Sequence, residues 1–329
     1  MKTITFECET LTPMFLGGAD GQTPELRPPS IKGLMRFWWR AINGHLSIKD
    51  LKDGEAKIFG ASDEKIGRSK INIRLKPHKL SSSNDRLPSH PIKVTTSRKS
   101  FKINILEYLA YGTYEYKKGQ GNIFVREYIK PNQKFSVSIF FVDNLEKEII
   151  NVFQILSTFS GLGSRSRNGF GSFRILSIND NSNNFYLDLK KGKYTSELPR
   201  YSALSQNMRL WKTNEGYNSW DEALAELGKA YKDARGNIER KHHYEKRQYI
   251  GAPIIVNKKQ KSKLDRHSKP YFMSVHYEGN EYVGYLLYLP SEYAYEKEGL
   301  NDSEETKHFV DACNFLNQHL SDKLEEKIL

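Results

Sequence analysis

The chain has 329 residues and a formal net charge of +12, with 51 Lys and Arg against 39 Asp and Glu. Its mean hydropathy of -0.66 and the lack of any run of 18 apolar residues exclude a helical membrane protein. The whole basic excess lies in residues 1–178, which carry 28 Lys and Arg against 16 Asp and Glu, and this half therefore predicts either a polyanionic partner or a solvated basic face.

The N-terminal segment MKTITFECETL alternates apolar and polar residues, with Ile4, Phe6 and Cys8 on one face. This period predicts a half-buried strand and not a cleaved signal peptide, so we expect a cytoplasmic protein. Two cysteines, Cys8 and Cys313, are too few for a disulfide framework or a metal site. Both are predicted to be small core residues.

A helix is predicted from about Ile31 to His45, with Ser30 as its N-cap after Pro28 and Pro29. One face is apolar at helical spacing, which predicts an amphipathic helix. That face consists of Ile31, Leu34, Trp38 and Ile42.

The same helix carries a basic edge formed by Lys32, Arg36 and Arg40, which recur every four residues. The free amides of its first turn attract anions, and Lys32 lies in that turn. Trp39 lies beside the edge and can either stack on a nucleic acid base or pack between domains, whereas Trp38 is predicted to face the core.

The order of elements in the first half predicts one domain, residues 1–178. A strand at 71–76 precedes a polar insertion at 77–131 with a helix near 101–111. A strand at 134–142, a helix from Asp143 to Phe159 and a strand at 172–178 follow. The resulting order, β-α-β-β-α-β, is that of a ferredoxin-like or RRM-like sheet.

The last helix of this domain leads into a glycine-rich loop, GLGSRSRNGFGSF, at residues 161–173. Gly161 and Gly163 allow close backbone approach, and Arg165 and Arg167 can each contact a phosphate with two hydrogen bonds. The loop is not a Walker A motif, because it lacks Gly-Lys-Ser/Thr and follows a helix, and a nucleotide cofactor is therefore not expected. The alternative is a connection whose arginines are merely solvated.

The second half, residues 179–329, is predicted to form a degenerate domain of the same kind. Its predicted elements are a strand at 184–189, a helix at 219–235, strands at 271–277 and 281–289, and a helix at 304–326. A basic, mobile insertion at 236–270 separates its first helix from its middle strands. The overall prediction is an α+β protein of two tandem ferredoxin-like domains.

Several residues outside these motifs are candidates for chemistry or binding. Asp20 in GGADGQ can support RNA cleavage but is typical of a turn, and the adjacent His242 and His243 point in different directions on a helix. The turn Arg266–Lys269 can touch phosphate or cap a hairpin. A group of tyrosines with Lys117 and Lys118 can contact single-stranded RNA or form a satellite cluster; they are Tyr108, Tyr111, Tyr114 and Tyr116.

Two of these segments resemble a known family. TPMFLGGADGQTPELRPPSIKGLMRFWWRA is similar to the N-terminal signature of first subunits of the Cmr complex, the type III-B CRISPR RNA-guided effector. The glycine-rich loop resembles the one shared by the RAMP superfamily. The resemblance covers roughly residues 1–60 and 135–178.

This resemblance implies a non-catalytic, RNA-binding capping subunit that acts in antiviral defence without a cofactor or metal. It implies contacts with the 3' region of the guide RNA, with the paired target RNA and with backbone RAMP subunits. Target cleavage belongs to another subunit in that family, so Asp20 does not inherit the role. The RNA-facing residues are then expected to be Lys32, Arg36, Trp39, Arg40, Gly161, Gly163, Arg165 and Arg167.

Two other functions remain open from the sequence. A metal-independent endoribonuclease that processes CRISPR RNA would need converging His, Tyr and Lys side chains, and no convincing set is visible. A scaffold subunit that binds no RNA would instead turn the basic half toward an acidic neighbour.

Overall fold

The computed structural model describes most of the chain, and every structural statement concerns that part. The described residues are 1–21, 23–61, 67–77, 80–95, 100–182, 192, 194–241, 243–293 and 302–327. They form helices and antiparallel sheets, which confirms the α+β class. No helix within these ranges combines the length and apolar character needed to cross a bilayer.

The first unit is built on a four-stranded antiparallel sheet with helices on one side. Its elements are β1 (Lys2–Thr10), α1 (Pro28–Ile42), α2 (Ile48–Phe59), β2 (Ile71–Pro77), β9 (Lys134–Phe141), α4 (Glu146–Phe159) and β10 (Phe173–Ile178). The strand order is β10-β1-β9-β2. Numbered within the unit, this order is fourth, first, third, second.

The alternation predicted for β1 is confirmed. Phe6 pairs in register with Val137 of β9, and its ring stacks on Phe153 of α4 at 4.2 Å between centroids. Cys8 is fully buried on the same face, and burial, followed by the charge of Glu7, raises the pKa of its thiol well above the ordinary value. Cys8 is therefore a core residue, as is the fully buried Cys313.

The boundaries predicted for the helices of this unit were partly wrong. Helix α1 begins at Pro28 with Arg27 as its N-cap, because a proline in the first turn loses no helical hydrogen bond. It ends at Ile42, and a separate helix, α2, follows with Ser47 as its N-cap. Helix α4 begins at Glu146 and not at Asp143, whose φ of 64° is left-handed.

The insertion between β2 and β9 forms small hairpins around a short helix. Its elements are β3 (Ser82–Ser83), β4 (Pro91–Thr95), β5 (Ser100–Asn104), α3 (Ile105–Leu109), β6 (Tyr114–Lys117), β7 (Gly121–Phe124) and β8 (Tyr128–Ile129). Ile105, Leu106 and Phe124 are buried in a core cluster shared with the second half of the chain. The insertion is thus a packed subdomain that joins the two halves.

The second unit has a four-stranded antiparallel sheet of its own. Its elements are β11 (Arg209–Lys212), α5 (Trp220–Asn237), a 3-10 helix (Arg247–Ile250), β12 (Ile255–Val256), β13 (Lys259–Gln260), β14 (Tyr271–Glu278), β15 (Glu281–Tyr288), α6 (Asp302–Ser321) and β16 (Glu325–Lys327). The strand order is β14-β15-β11-β16. When the four strands of this sheet are numbered along the chain and read from β16, the order is fourth, first, third, second, as in the first unit.

Two predictions for this half need correction, one stays untested, and one strand was missed. The strand expected at 184–189 lies outside the described residues, and the first strand of the sheet is β11, which the sequence reading missed. The last helix ends at Ser321, because β16 follows and pairs with β11. The segment 236–270 packs against the unit, since Tyr249 and Ile250 are buried.

The second sheet lies between the helices of both units. Phe272 and Leu287 belong to the core of the first unit, and the Trp38 ring of α1 lies 5.4 Å from that of Phe272. On the opposite face, Met273 and Leu286 pack with α5 and α6. The two units therefore share a continuous apolar interior.

Candidate nucleic-acid interface

The basic edge of α1 forms as predicted but is partly neutralised. Arg36 Nε and Arg40 Nη1 lie 2.5 Å and 2.7 Å from the same oxygen, Oε1 of Glu55 on α2. Glu55 is only 7% exposed, so it needs these cations to remain buried as a carboxylate. Two arginines thus share one acidic partner, and the edge keeps an excess of positive charge.

Lys32 begins this edge one turn before Arg36. Burial, followed by the charge of Arg36, lowers the pKa of its amine. Within the described ranges no acidic side chain pairs with Lys32, whereas Arg36 and Arg40 both bind Glu55. Lys32 is therefore the residue of the edge best placed to accept an external anion.

The stacking role predicted for Trp39 is wrong. Trp39 is 4% exposed, and its ring packs so closely on α2 that a side chain at Gly54 would lie 2.7 Å from it. Its indole N–H donates to Oε1 of Glu148 on α4. Trp39 therefore joins three helices, and Trp38 faces the core as predicted.

The glycines of the glycine-rich loop serve packing more than phosphate approach. A side chain at Gly161 would collide with the carbonyl of Phe170, and one at Gly163, where φ is 99°, would collide with the carbonyl of Phe15. The amide of Ser164 donates to that same Phe15 carbonyl at 2.8 Å. These contacts hold the loop against the segment that follows β1, so Gly161 and Gly163 are not free to cradle a phosphate.

Arg167 lies at the junction of the two units, where it is half-buried. Its Nη1 donates to the carbonyl of Lys269 at 2.6 Å, and its guanidinium lies over the rings of Phe272 and Phe37 at 4.4 Å and 5.6 Å. Burial lowers its pKa to about 10. The phosphate contact predicted for Arg167 is therefore wrong, because its hydrogen bonds and ring contacts are directed inward.

Arg165 is the arginine of the loop that remains exposed. It has a left-handed φ of 62°, and its carbonyl accepts from the amide of Asn168 at 2.8 Å. Partial burial, followed by the charge of Arg126, lowers its pKa. In the part of the chain that the structure describes, neither Arg165 nor Arg126 forms an ion pair.

The insertion brings exposed aromatic rings to Arg165. The guanidinium of Arg165 lies so close to Gly112 that a side chain at Gly112 would collide with Nη2. The phenols of Tyr111 and Tyr114 act on the pKa of Arg165. Tyr111 is 72% exposed, and the exposed Tyr116, Lys117 and Lys118 follow on β6 and the turn after it. Cations without acidic partners beside exposed rings are typical of a surface for single-stranded nucleic acid.

Sequence reasoning missed Arg126 and Gly112, which complete this surface. Arg126 belongs to no motif, and it reaches Arg165 only through the fold of the insertion. Gly112 gave a weak signal, as the glycine within the tyrosine-rich run YGTYEY. Only its left-handed φ of 89° and its contact with Arg165 show why glycine is required there.

The basic turn at 266–269 is mainly structural. His267 exchanges backbone hydrogen bonds with Ala252, and burial followed by the charge of Arg167 lowers the pKa of its imidazole to about 4. The amine of Lys269 is buried over the Tyr231 ring at 4.5 Å. This turn therefore supports Arg167 from within.

The residues considered for catalysis do not assemble a site. Asp20 accepts from the amide and hydroxyl of Thr23, as in a turn, and the amide of His243 donates to the carbonyl of Arg240. His242 lies outside the described residues. The described residues contain no group of three or more His, Cys, Asp or Glu that could hold a metal.

One Tyr–Lys pair does converge in the second unit. Tyr249 and Lys263 donate to the two oxygens of Glu305 at 2.8 Å and 2.6 Å. Glu305 is 4% exposed. Because both donors are directed at a buried carboxylate, this cluster stabilises the attachment of α6 and leaves neither group to act on a substrate.

Comparisons with known proteins agree with the two motifs. The model of the RAMP superfamily matches residues 7–174. Two Pyrococcus furiosus proteins are similar in sequence: CRISPR system Cmr subunit Cmr1-2 is 29% identical over 53% of this chain and 96% of its own length. CRISPR system Cmr subunit Cmr1-1 is 26% identical over 93% of this chain and 91% of its own length.

Two solved structures share the fold. The crystal structure of apo Cmr1 from Pyrococcus furiosus has a TM-score of 0.57 and 21% identity, covering 99% of this chain and 98% of that one. A chain in the cryo-EM structure of the type III-B Cmr-beta complex, bound to cognate target RNA and AMPPnP, has a TM-score of 0.51 and 12% identity, covering 95% and 99%. The resemblance stated from the sequence is confirmed.

Proposed function

The chain belongs to the RAMP superfamily, and from this premise we propose that it is a non-catalytic RNA-binding subunit of a type III-B CRISPR effector complex. Its relatives are named as Cmr subunits, and one structural neighbour is a chain of a complex bound to target RNA. The proposed partners are guide RNA, target RNA and other Cmr subunits. The proposed place is a cap at the 3' region of the guide RNA, against backbone RAMP subunits.

The observation that carries the RNA-binding proposal is the surface around Arg165. Partial burial and the charge of Arg126 lower the pKa of Arg165, yet no acidic side chain in the described ranges pairs with either arginine. A phosphate would relieve this repulsion and form charge-assisted hydrogen bonds with both. Lys32, at the start of α1, supplies a further cation without an acidic partner.

The architecture supports the proposal at the level of domains. Each of the two sheets has the strand order expected of the split β-α-β arrangement, and each receives a helix between its first and second strands and another between its third and fourth. Two tandem ferredoxin-like domains are therefore proposed. RNA recognition by such a subunit reads backbone and shape, since base pairing with the guide supplies sequence choice.

The non-catalytic part of the proposal has separate support. Asp20 is engaged by Thr23, and the Tyr249 and Lys263 side chains are engaged by Glu305. An acid–base pair for RNA cleavage needs groups within hydrogen-bond reach of a substrate proton. The exposed surface around Arg165 offers cations and rings for binding.

Incubation of the full-length protein with labelled guide RNA, target RNA or their duplex tests this function. Retention and cleavage are measured across a salt series, without metal and with Mg²⁺ or Mn²⁺. Retention that falls steeply with salt while the RNA stays intact is the expected result. Specific cleavage lost in Asp20→Ala or His243→Ala would identify a nuclease, and no retention at any salt concentration would favour an RNA-free scaffold.

A further inference from the structure

We infer that Tyr111 and the adjacent Arg165 form a subsite for one unpaired nucleotide, with the base stacked on Tyr111 and a phosphate held by Arg165. This inference rests on the proposed RNA-binding function and narrows it to single-stranded RNA. A stack on an exposed ring needs an unpaired base, because the bases of a duplex are covered by their neighbours.

The ring of Tyr111 is held in position but not covered. It makes an edge contact with Tyr114, with 6.4 Å between centroids and an interplanar angle of 87°. Tyr114 is in turn anchored on the buried ring of Phe124 at 5.5 Å. With 72% of Tyr111 exposed, a large part of its ring surface is open to a base.

The glycine-rich loop and the turn that carries Tyr111 are fastened together. Asn168 Nδ2 donates to the carbonyl of Leu109 at 2.6 Å, two residues before Tyr111. The backbone N–H of Asn168 donates to the carbonyl of Arg165, and the Arg165 side chain lies against Gly112. The ring and the guanidinium are therefore held in a fixed relation before any ligand binds, which reduces the entropic cost of binding.

The charge around this ring favours a nucleic acid over an apolar or acidic protein segment. Arg165 lies against Gly112, next to Tyr111, and the charge of Arg126 acts on it. Neither arginine has an acidic partner in the described ranges, and the exposed Lys117 and Lys118 follow in the β6–β7 hairpin. A polyanion with flat, stackable groups satisfies both the cations and the ring. An acidic peptide would satisfy only the cations.

The test uses the full chain and fluorescence anisotropy with a labelled single-stranded RNA, a blunt duplex of the same sequence, and labelled inorganic polyphosphate. Tyr111→Ala is compared with Tyr111→Phe and with Phe101→Ala, which removes an exposed ring in the β4–β5 hairpin. Arg165→Ala reports the phosphate contact. Each variant is measured across a salt series.

We expect Tyr111→Ala to weaken single-stranded RNA binding by about 5- to 150-fold without changing the salt slope. Tyr111→Phe and Phe101→Ala should bind as the wild type does, and Arg165→Ala should flatten the slope by about 0.7. Binding of polyphosphate, which has no bases, should be the same for Tyr111→Ala and the wild type.

Two results would overturn the subsite while leaving RNA binding in place. The first is that the wild type binds single-stranded RNA and the affinity of Tyr111→Ala stays within twofold of the wild-type affinity. The other is an equal loss for RNA and polyphosphate, which would mean that Tyr111 only shapes the cationic surface. If the wild-type chain retains no RNA of either kind, the proposed function itself fails and the subsite fails with it.

Discussion

Replacing Arg167 with alanine tests whether this residue joins the two units or binds RNA. The change removes the hydrogen bond to the Lys269 carbonyl and the ring contacts with Phe272 and Phe37. A hydrogen bond from a charged donor contributes about 1.5–3 kcal/mol, and a desolvated cation–π contact about 2 kcal/mol. Burial of the guanidinium, which lowers its pKa to about 10, offsets part of this gain.

We therefore expect Arg167→Ala to lower the free energy of unfolding by about 2–4 kcal/mol. Urea denaturation of the full chain measures this loss. The free energy of unfolding of Arg167→Lys should lie between those of Arg167→Ala and the wild type, because lysine keeps the charge but lacks the planar donor group. The salt slope of RNA binding should stay unchanged, since the guanidinium faces inward. A stable Arg167→Ala variant with a flattened salt slope would refute this role and restore the phosphate contact.

Three further predictions concern the supports of the site. Glu55→Gln should lower the free energy of unfolding by about 1–2 kcal/mol in urea, because Arg36 and Arg40 are partly exposed and lose one shared carboxylate. Gly163→Ala should cost about 3 kcal/mol or more, whereas Gly33→Ala, in open space within α1, should be neutral or stabilising. Burial alone would raise the pKa of Glu305, but hydrogen bonds from Lys263 and Tyr249 outweigh burial and lower this pKa. The stability that these bonds give is present above about pH 4.3 and is lost as pH falls through the pKa of Glu305 in the folded protein. Thermal unfolding from pH 7 to pH 3 should show a smaller acid-induced loss for Glu305→Gln.

The sequence predicted the parts of the fold that depend on local period. The alternation of β1 and the apolar face of α1 are both visible in short windows, and both are confirmed. Strand β11 was missed because Arg209–Lys212 has only four residues and no clear alternation. Its identity as a strand comes from pairing with β15 and β16, which are distant in sequence.

The predicted site failed where a side chain's environment is set by distant residues. The sequence left stacking and packing both open for Trp39, because α2, which covers its ring, was not predicted as a separate helix. Arg167 seemed equivalent to Arg165, and only the docking of β14 against the loop distinguishes an inward arginine from an outward one. The close backbone approach predicted at Gly161 and Gly163 is present, but the group that approaches is a carbonyl of the chain itself and not a phosphate.

The most direct test of RNA binding at this surface is the salt slope of single-stranded RNA affinity for the double variant Arg126→Ala with Arg165→Ala. The matched control is Arg200→Ala with Lys229→Ala, which removes two exposed cations that are already paired with Glu292 and Glu226. The double variant should flatten the slope by about 1.4, and the control should leave it unchanged. Equal slopes for the wild type and the double variant would contradict the proposal that this surface holds the RNA backbone.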